Sequence, residues 1–357
     1  MVDKGPSEKE ATLDVQKLIT TAQAIVALRK GVLAADESGG TIKRRFDSIA
    51  VESTEENRRN YRELLFRTKG ASEYISGIIL FDETLRQNGA DGTPLVNVLV
   101  DQDIIPGIKV DKGTQSLPGA PTELVTEGLD GLRDRLKEYA EMGARFTKWR
   151  GVITIGDGIP TPYCIETNAH ALARFAALSQ EAGLVPIVEP EVLMDGDHTI
   201  DRCFDVNEAT LREVFVHLAR QNVVLEGILL KPSMVLSGST AANRASPEEV
   251  AEKTVACFKR AVPGAVPGIV FLSGGQSDEE ATINLNAINQ RANAVGAPWQ
   301  LSFSFGRGLQ AAPLKAWSGQ ADNVEKAKQA FYHRAKLTSA ARQGTYVPAM
   351  ERDLAGA

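Results

Sequence analysis

Short apolar, β-branched runs recur along the chain at Gly31–Ala35, Gly77–Phe81, Ile104–Val110, Ala144–Trp149, Leu184–Val188, Leu225–Leu230, Gly268–Leu272 and, less purely apolar, Trp299–Phe305. Runs that are apolar almost throughout, rather than alternating, predict strands buried on both faces. Between most of them lie stretches of helical period: Glu55–Thr68, Leu129–Met142, Asn168–Ala182, Asn207–Asn222, Pro247–Ala261 and Glu279–Ala294, with a last one at Asn323–Arg342. In Leu129–Met142, for example, Leu132, Leu136 and Tyr139 share one face among charged neighbours. Ser246-Pro247-Glu248-Glu249 shows helix-start signals together: a capping hydroxyl, proline at the first turn, then acids near the positive end of the dipole.

Eight strands alternating with helices predict a parallel sheet, and a closed one fits best. The expected fold is α/β, a single (β/α)8 TIM barrel over residues 1–357, with extra N-terminal and C-terminal helices and flexible ends at about 1–15 and 345–357. A doubly wound open sheet is the alternative. It would be favoured by a glycine-rich dinucleotide fingerprint after the first strand, and Asp36-Glu-Ser-Gly-Gly40 lacks that spacing.

Composition narrows the function. A net charge of -6 argues against a surface that attracts nucleic acid or anionic membrane at large, so any phosphate must be met by a local basic pocket. The sequence has no apolar run long enough to span a bilayer, and its start, MVDKGPSEKEATLD, has neither a signal peptide's apolar core nor a transit peptide's shortage of acids. The expectation is a cytoplasmic protein. Cys164, Cys203 and Cys257 are too far apart for zinc or redox motifs and read as buried thiols. The four histidines are scattered, and only Asp195-Gly-Asp-His198 hints at metal ligands; it reads as a loop turn. No metal and no cofactor is expected.

In barrel enzymes the chemistry gathers at the C-terminal ends of the strands. Here the runs end in or near Asp36, Lys109, Lys148-Trp-Arg150, Glu189-Pro-Glu191, Lys231, Ser273-Gly-Gly275 and Gly306-Arg307. An ammonium at Lys231, closing an apolar run, would be partly desolvated, which favours the neutral amine needed to attack a carbonyl. If Lys148 faces it, mutual repulsion lowers an amine pKa further. The same lysine could instead snorkel to solvent or pair with an acid. Glu189, with a raised pKa, could move protons during imine formation, and Glu189 and Glu191 point the same way from one strand. Neutralising the two lysines is their blander role, and Asp36 has the same two options. The glycine loops Ser273–Gly275 and Gly306–Gly308 occupy the position where barrels often hold phosphate, Arg307 adds a bidentate cation, and Arg45 or Arg150 could anchor a second anion.

These residues carry a resemblance. The chain resembles the class I fructose-bisphosphate aldolases over nearly its whole length, through Leu33-Ala-Ala-Asp-Glu-Ser38, Glu55-Glu-Asn-Arg-Arg59, Ile108-Lys-Val-Asp-Lys112, Lys148-Trp-Arg150, Val188-Glu-Pro-Glu191, Leu229-Leu-Lys-Pro232, Phe271-Leu-Ser-Gly-Gly-Gln276 and Asn284-Leu-Asn-Ala-Ile-Asn289. Eight motifs in order are far more specific than any one. The resemblance implies a metal-independent lyase of glycolysis and gluconeogenesis, usually a homotetramer. Its substrates are sugar phosphates: fructose 1,6-bisphosphate is cleaved reversibly to dihydroxyacetone phosphate and glyceraldehyde 3-phosphate. It also implies roles: Lys231 as the Schiff-base lysine, Glu189 as the acid-base carboxylate, Asp36 as the group taking the C4 hydroxyl proton, and Lys148 as a support for imine formation. Lys109, Arg150 and Glu191 match further active-site groups. Ser273, Gly274, Gly306 and Arg307 fall on the ketose-end phosphate site with Ser304 nearby and Gly275 as a further substrate-binding residue, Ser38 and Arg45 on the other, and Arg58 on an arginine of the pattern.

Two departures stand out. Gly39 replaces a threonine common in relatives. The tyrosine that ends longer family members has no counterpart, because Tyr346 aligns with the end of the final helix instead. Two other functions compete, Lys231 as an anchor for pyridoxal phosphate and a barrel kept only as a binding scaffold. Preference among fructose 1,6-bisphosphate, fructose 1-phosphate and sedoheptulose bisphosphate is left open.

Overall fold

The computed structural model describes residues 13–356, with side chains to 352. In chain order its elements begin with α1 (Val15–Ile25), β1 (Gly31–Ala35), α2 (Gly39–Asp47), α3 (Glu55–Phe66), β2 (Ile75–Leu80), α4 (Asp82–Arg86), α5 (Leu95–Val100) and β3 (Ile105–Lys109). A hairpin of β4 (Thr114–Leu117) and β5 (Ala120–Thr126) follows, then α6 (Leu132–Glu141), β6 (Phe146–Ile153), α7 (Pro162–Glu181), β7 (Val185–Val192), α8 (Ile200–Arg220) and β8 (Leu229–Leu230). The chain continues through α9 (Pro247–Ala261), β9 (Gly268–Phe271), α10 (Asp278–Ala294), β10 (Gln300–Phe305), α11 (Arg307–Trp317) and α12 (Val324–Arg342).

Eight parallel strands close in the order β1-β10-β9-β8-β7-β6-β3-β2. This is the expected TIM barrel, with α1 before it and α12 after it. Two apolar layers hold it together. Outward side chains such as Leu33, Ile78 and Leu230 pack under the helices, while Val32, Ala34, Ile79, Ile187, Leu229 and Val270 form a separate cluster with Leu18, Ala22 and Ile25 of α1. That alternation along each strand identifies the second cluster as the barrel interior, and α1 plugs its N-terminal mouth. The interior also dictates glycine: a Cβ on Gly107 would lie 2.2 Å from the ring of Phe146.

The structure departs from the expected elements in ways that matter for the site. Leu225–Gly227 is a 3₁₀ turn, so the sixth barrel strand shrinks to Leu229–Leu230. β6 and β7 instead run on to Ile153 and Val192, pairing Arg150 with Glu189 and Val152 with Glu191. Lys148, Glu189 and Glu191 therefore sit within strands, not at their ends. α7 and α8 begin earlier than expected, capped by Thr161 and Thr199. Arg45 lies on α2, a helix absent from the expected elements. With only Ile42 and Phe46 apolar at i, i+4, α2 carries a faint periodic signal.

Of the ends expected to be flexible, residues 1–12 lie outside the described residues. At the other end Tyr346 is buried, its hydroxyl donates to Glu351, and Glu351 accepts two bonds from Arg334 of α12. Cys164, Cys203 and Cys257 are buried and free, as expected. Among the described residues no helix is long and apolar enough to cross a membrane.

Candidate active site

A cavity of 1400 Å³ opens where the strands end. Every candidate residue named above lines it except Arg58. Arg58 sits on α3 with its guanidinium forked onto Glu83 at 2.8 and 2.5 Å and a further bond to the Ser53 carbonyl, so its donors are committed away from the cavity.

At the cavity floor four ionisable groups form a chain. Lys148 Nζ lies 2.7 Å from Asp36 Oδ2 and 3.2 Å from Glu189 Oε2, and Lys231 Nζ lies 3.0 Å from Glu189 Oε1. The register produces this directly: β3, β6 and β7 bring Lys109 beside Lys148 and Arg150 beside Glu189, and the Lys231 amide bonds to the Val188 carbonyl. Lys148, Glu189 and Lys231 are each only 3% exposed, so the charges are stable there only because they are paired.

The pairing reverses two expectations. Burial pushes the Glu189 carboxyl up, but Lys148, Lys231 and Arg150 together outweigh it and hold the group below the ordinary carboxylate range, not above it. Burial likewise pulls Lys148 down, yet Asp36 and Glu189 hold it above the ordinary lysine range. Asp36 is opposed by burial and held low by Lys148 and Lys231. Lys148 and Lys231 do not face each other bare, because Glu189 stands between them. The resting site holds Asp36 and Glu189 ionised around the Lys148 cation, with Glu189 placed as a base against Lys231.

Around this centre Arg150 pairs with Glu191, and Lys109 pairs with Asp111 at 2.9 Å. On one side Ser273–Gly275 faces the first turn of α11: the Gly308 amide donates to Ser273 Oγ at 3.4 Å, and Arg307 bonds the Gln276 carbonyl at 3.0 Å. Ser304 Oγ is buried here without a protein partner. Gly275 has φ +75, a conformation side chains resist, and a Cβ there would sit 2.7 Å from Met194 Cε. Exposed backbone amides beside an arginine make a ready anion cradle. On the other side Ser38 precedes α2, and Arg45 is held by Glu37.

Glu37 escaped the sequence reading. It points away from Asp36, is buried, and gathers Arg45, Arg62 and the Gln310 amide. Its adjacency to Asp36 was a signal, since neighbours on an extended segment face opposite ways. Asp111, the partner of Lys109, lay inside a quoted motif but was not singled out. The Asp195–His198 loop is tied to the loop after β8, its Gly196 and His198 carbonyls accepting from Thr240 and Gly238. Among the described residues no group of three or more His, Cys, Asp or Glu could hold a metal.

A closed barrel with two buried lysines sharing one carboxylate, between two basic flanks, defines an enzyme of amine and carboxylate chemistry on an anionic substrate. The family model for class-I fructose-bisphosphate aldolase matches residues 17–356. A probable fructose-bisphosphate aldolase class 1 of Xanthomonas campestris is 58% identical over 335 residues, covering 94% of this chain and 99% of the relative. The cytosolic fructose-bisphosphate aldolase 4 of Arabidopsis thaliana is 54% identical over 330 residues, covering 92% of this chain and 84% of the relative. Among solved structures, the aldolase of Plasmodium falciparum, in complex with TRAP and a small-molecule inhibitor, superposes with a TM-score of 0.92 at 49% identity, covering 97% of this chain and 99% of that one. The chain belongs to the class I fructose-bisphosphate aldolase family, and it is a lyase.

Proposed function

We propose that this protein cleaves fructose 1,6-bisphosphate reversibly to dihydroxyacetone phosphate and glyceraldehyde 3-phosphate, with Lys231 as the imine-forming amine. The observation that carries the reading is the Asp36–Lys148–Glu189–Lys231 chain on the cavity floor. Glu189, 3.0 Å from Lys231 Nζ, accepts its proton and frees the amine to add to C2 of the ketose. The same carboxyl then returns a proton to the carbinolamine hydroxyl, which leaves as water and generates the iminium. Asp36 takes the C4 hydroxyl proton; the C3–C4 bond breaks, its electron pair flows into the iminium to form the enamine, and the aldehyde departs. The covalent cation serves as the electron sink a metal would otherwise supply. Protonation of the enamine at C3 and hydrolysis of the imine release dihydroxyacetone phosphate. Lys148, a fixed cation between Asp36 and Glu189, keeps both carboxylates ionised until they act.

The substrate's two phosphates would lie in the two basic flanks: Ser273, Gly274, Gly275, Ser304, Gly306 and Arg307 for the ketose end, Ser38 and Arg45 for the other, with Lys109, Arg150 and Glu191 along the chain between. Arg58 would act only through Glu83. Tyr346 does not line the cavity, and the enamine proton would come from another group, from water or from the residual tail. Similarity to cytosolic relatives and the family's habit support a cytoplasmic homotetramer, which sedimentation of the purified protein would test.

Borohydride added with dihydroxyacetone phosphate is expected to fix one substrate mass on the Lys231 peptide, and activity is expected to persist in chelator. An adduct on any other residue, or none, would overturn the assignment. Gly275→Ala is expected to raise KM for fructose 1,6-bisphosphate about tenfold with a smaller change in kcat, since it disturbs the anion loop and not the amine. An unchanged KM would remove that loop from substrate binding.

A further inference from the structure

The motif Asn284-Leu-Asn-Ala-Ile-Asn289 lies on α10, outside the cavity that holds the candidate catalytic groups, and the mechanism above does not use it. Its first residue nonetheless reaches the anion loop. Asn284 Nδ2 donates to Gln276 Oε1 at 2.7 Å, and both side chains are buried, Gln276 completely.

Gln276 is where the loop and Arg307 meet. Its backbone N–H closes the turn on the Ser273 carbonyl at 3.1 Å, and its side-chain amide leans on that same carbonyl at 3.4 Å and on Met234 Sδ at 3.7 Å. Its own carbonyl accepts from Arg307 Nη2 at 3.0 Å. The backbone of this one residue, through the two peptide groups that flank its Cα, therefore sets both the curl of Ser273–Gly275 and the aim of the guanidinium. The next residue, Ser277, caps α10 by accepting from the Glu280 amide, so the loop is spliced rigidly to the helix that carries Asn284. Of the contacts made by the Gln276 side chain, those to Ser273 and Met234 are long and weak. The short bond from Asn284 is the one able to hold the side chain, and with it the Gln276 backbone.

We infer that Gln276 and Asn284 are positioning residues for the ketose-end phosphate: they touch no reacting atom but hold the loop amides and Arg307 in the geometry that receives the anion. The inference rests on the phosphate role proposed for that loop. A carrier of anion geometry differs from a carrier of stability in one respect. It matters for substrates that present a phosphate there and not for those that lack it. Misplacement of a binding group by a fraction of an ångström is felt at the ligand even when the fold is intact.

The test compares two probes on the full chain. Imine trapping by borohydride is titrated with dihydroxyacetone phosphate and, separately, with phosphate-free dihydroxyacetone, in the wild type, Asn284→Leu, Gln276→Met and the double variant. Asn284→Ser is measured as a milder truncation should the leucine variant not accumulate folded, and thermal midpoints are recorded for all. The expected result is a rise of about tenfold in the half-saturating concentration of dihydroxyacetone phosphate, with less than about twofold change for dihydroxyacetone. The double variant should be no worse than the worse single one, because both act through one contact. Equal losses with both probes, or no loss with either, would overturn the positioning role while leaving the Lys231 chemistry standing. A wild-type protein that traps neither probe would instead overturn the aldolase reading beneath it.

Discussion

Lys231→Met is expected to lower the rate of fructose 1,6-bisphosphate cleavage by a factor on the order of 10⁴ or more, and to abolish borohydride trapping. No other group can stand in. Lys148, the nearest alternative amine, is bonded to Asp36 at 2.7 Å and to Glu189 at 3.2 Å and is held above the ordinary lysine range, so it offers no free electron pair. The substitution should also leave the fold intact. Methionine keeps the length and apolar stem of lysine, and Lys148 still touches both Asp36 and Glu189, so each carboxylate keeps an ion-pair contact, whereas loss of Lys148 would leave Asp36 without one. An unchanged thermal midpoint beside lost turnover would separate chemistry from folding. Residual cleavage above about 1% of wild type would sink the covalent mechanism.

The eight apolar runs were enough to predict a closed parallel barrel because burial on both faces leaves a signature that needs no partner to be read. Whether an apolar stretch is strand or 3₁₀ turn depends on its neighbours, and there the pattern misled: Leu225–Gly227 looks like strand but turns. The site divides the same way. Lys231, Glu189, Lys148 and Asp36 were visible as polar residues breaking or closing apolar runs, and the structure places them in one chain of contacts. The state of those groups was not visible, because a pKa is set by what approaches in space. Burial alone would have raised Glu189, and only the register of β6 against β7, with Lys231 following β8, brings the cations that lower it. Arg58 fails for the complementary reason, since nothing near it in sequence announces Glu83, twenty-five positions away. Gln276 and Asn284 were present in quoted motifs, but their bond spans a loop and two helical turns, and no periodicity encodes it.

Lys148→Met is expected to have the second large effect, and its sign follows from the charges it leaves. Lys148 is the largest attraction acting on both Asp36 and Glu189, the force that most opposes their desolvation. Without it two buried carboxylates share Lys231, the more distant Arg150 and Lys109, and one or both should titrate upward. The folded state now holds Asp36 below its ordinary value of 3.8, so the stability this contributes is present above that value and is lost as pH falls through the folded one. Lys148 is held above its ordinary 10.5, so its contribution is complete below that value and is lost as pH rises through the folded one. Between the two ordinary values the pair stabilises in full. The variant should therefore lose about 3–5 kcal/mol at neutral pH, the cost of breaking a buried pair from one side. Its deficit in urea midpoint against the wild type should shrink between pH 7 and pH 5, because carboxylates raised in the folded state take up protons there and shed the unpaired charge. The loss in kcat should be about 10²- to 10⁴-fold, as expected when proton transfers lose their preset acid and base. The acid limb of the kcat/KM profile should move to higher pH, because carboxylates that must be ionised to act now bind protons more readily. A variant whose pH profile superimposes on the wild type would show that Lys148 does not set the ionisation of Asp36 and Glu189, and the resting charge state assigned to this site would be wrong.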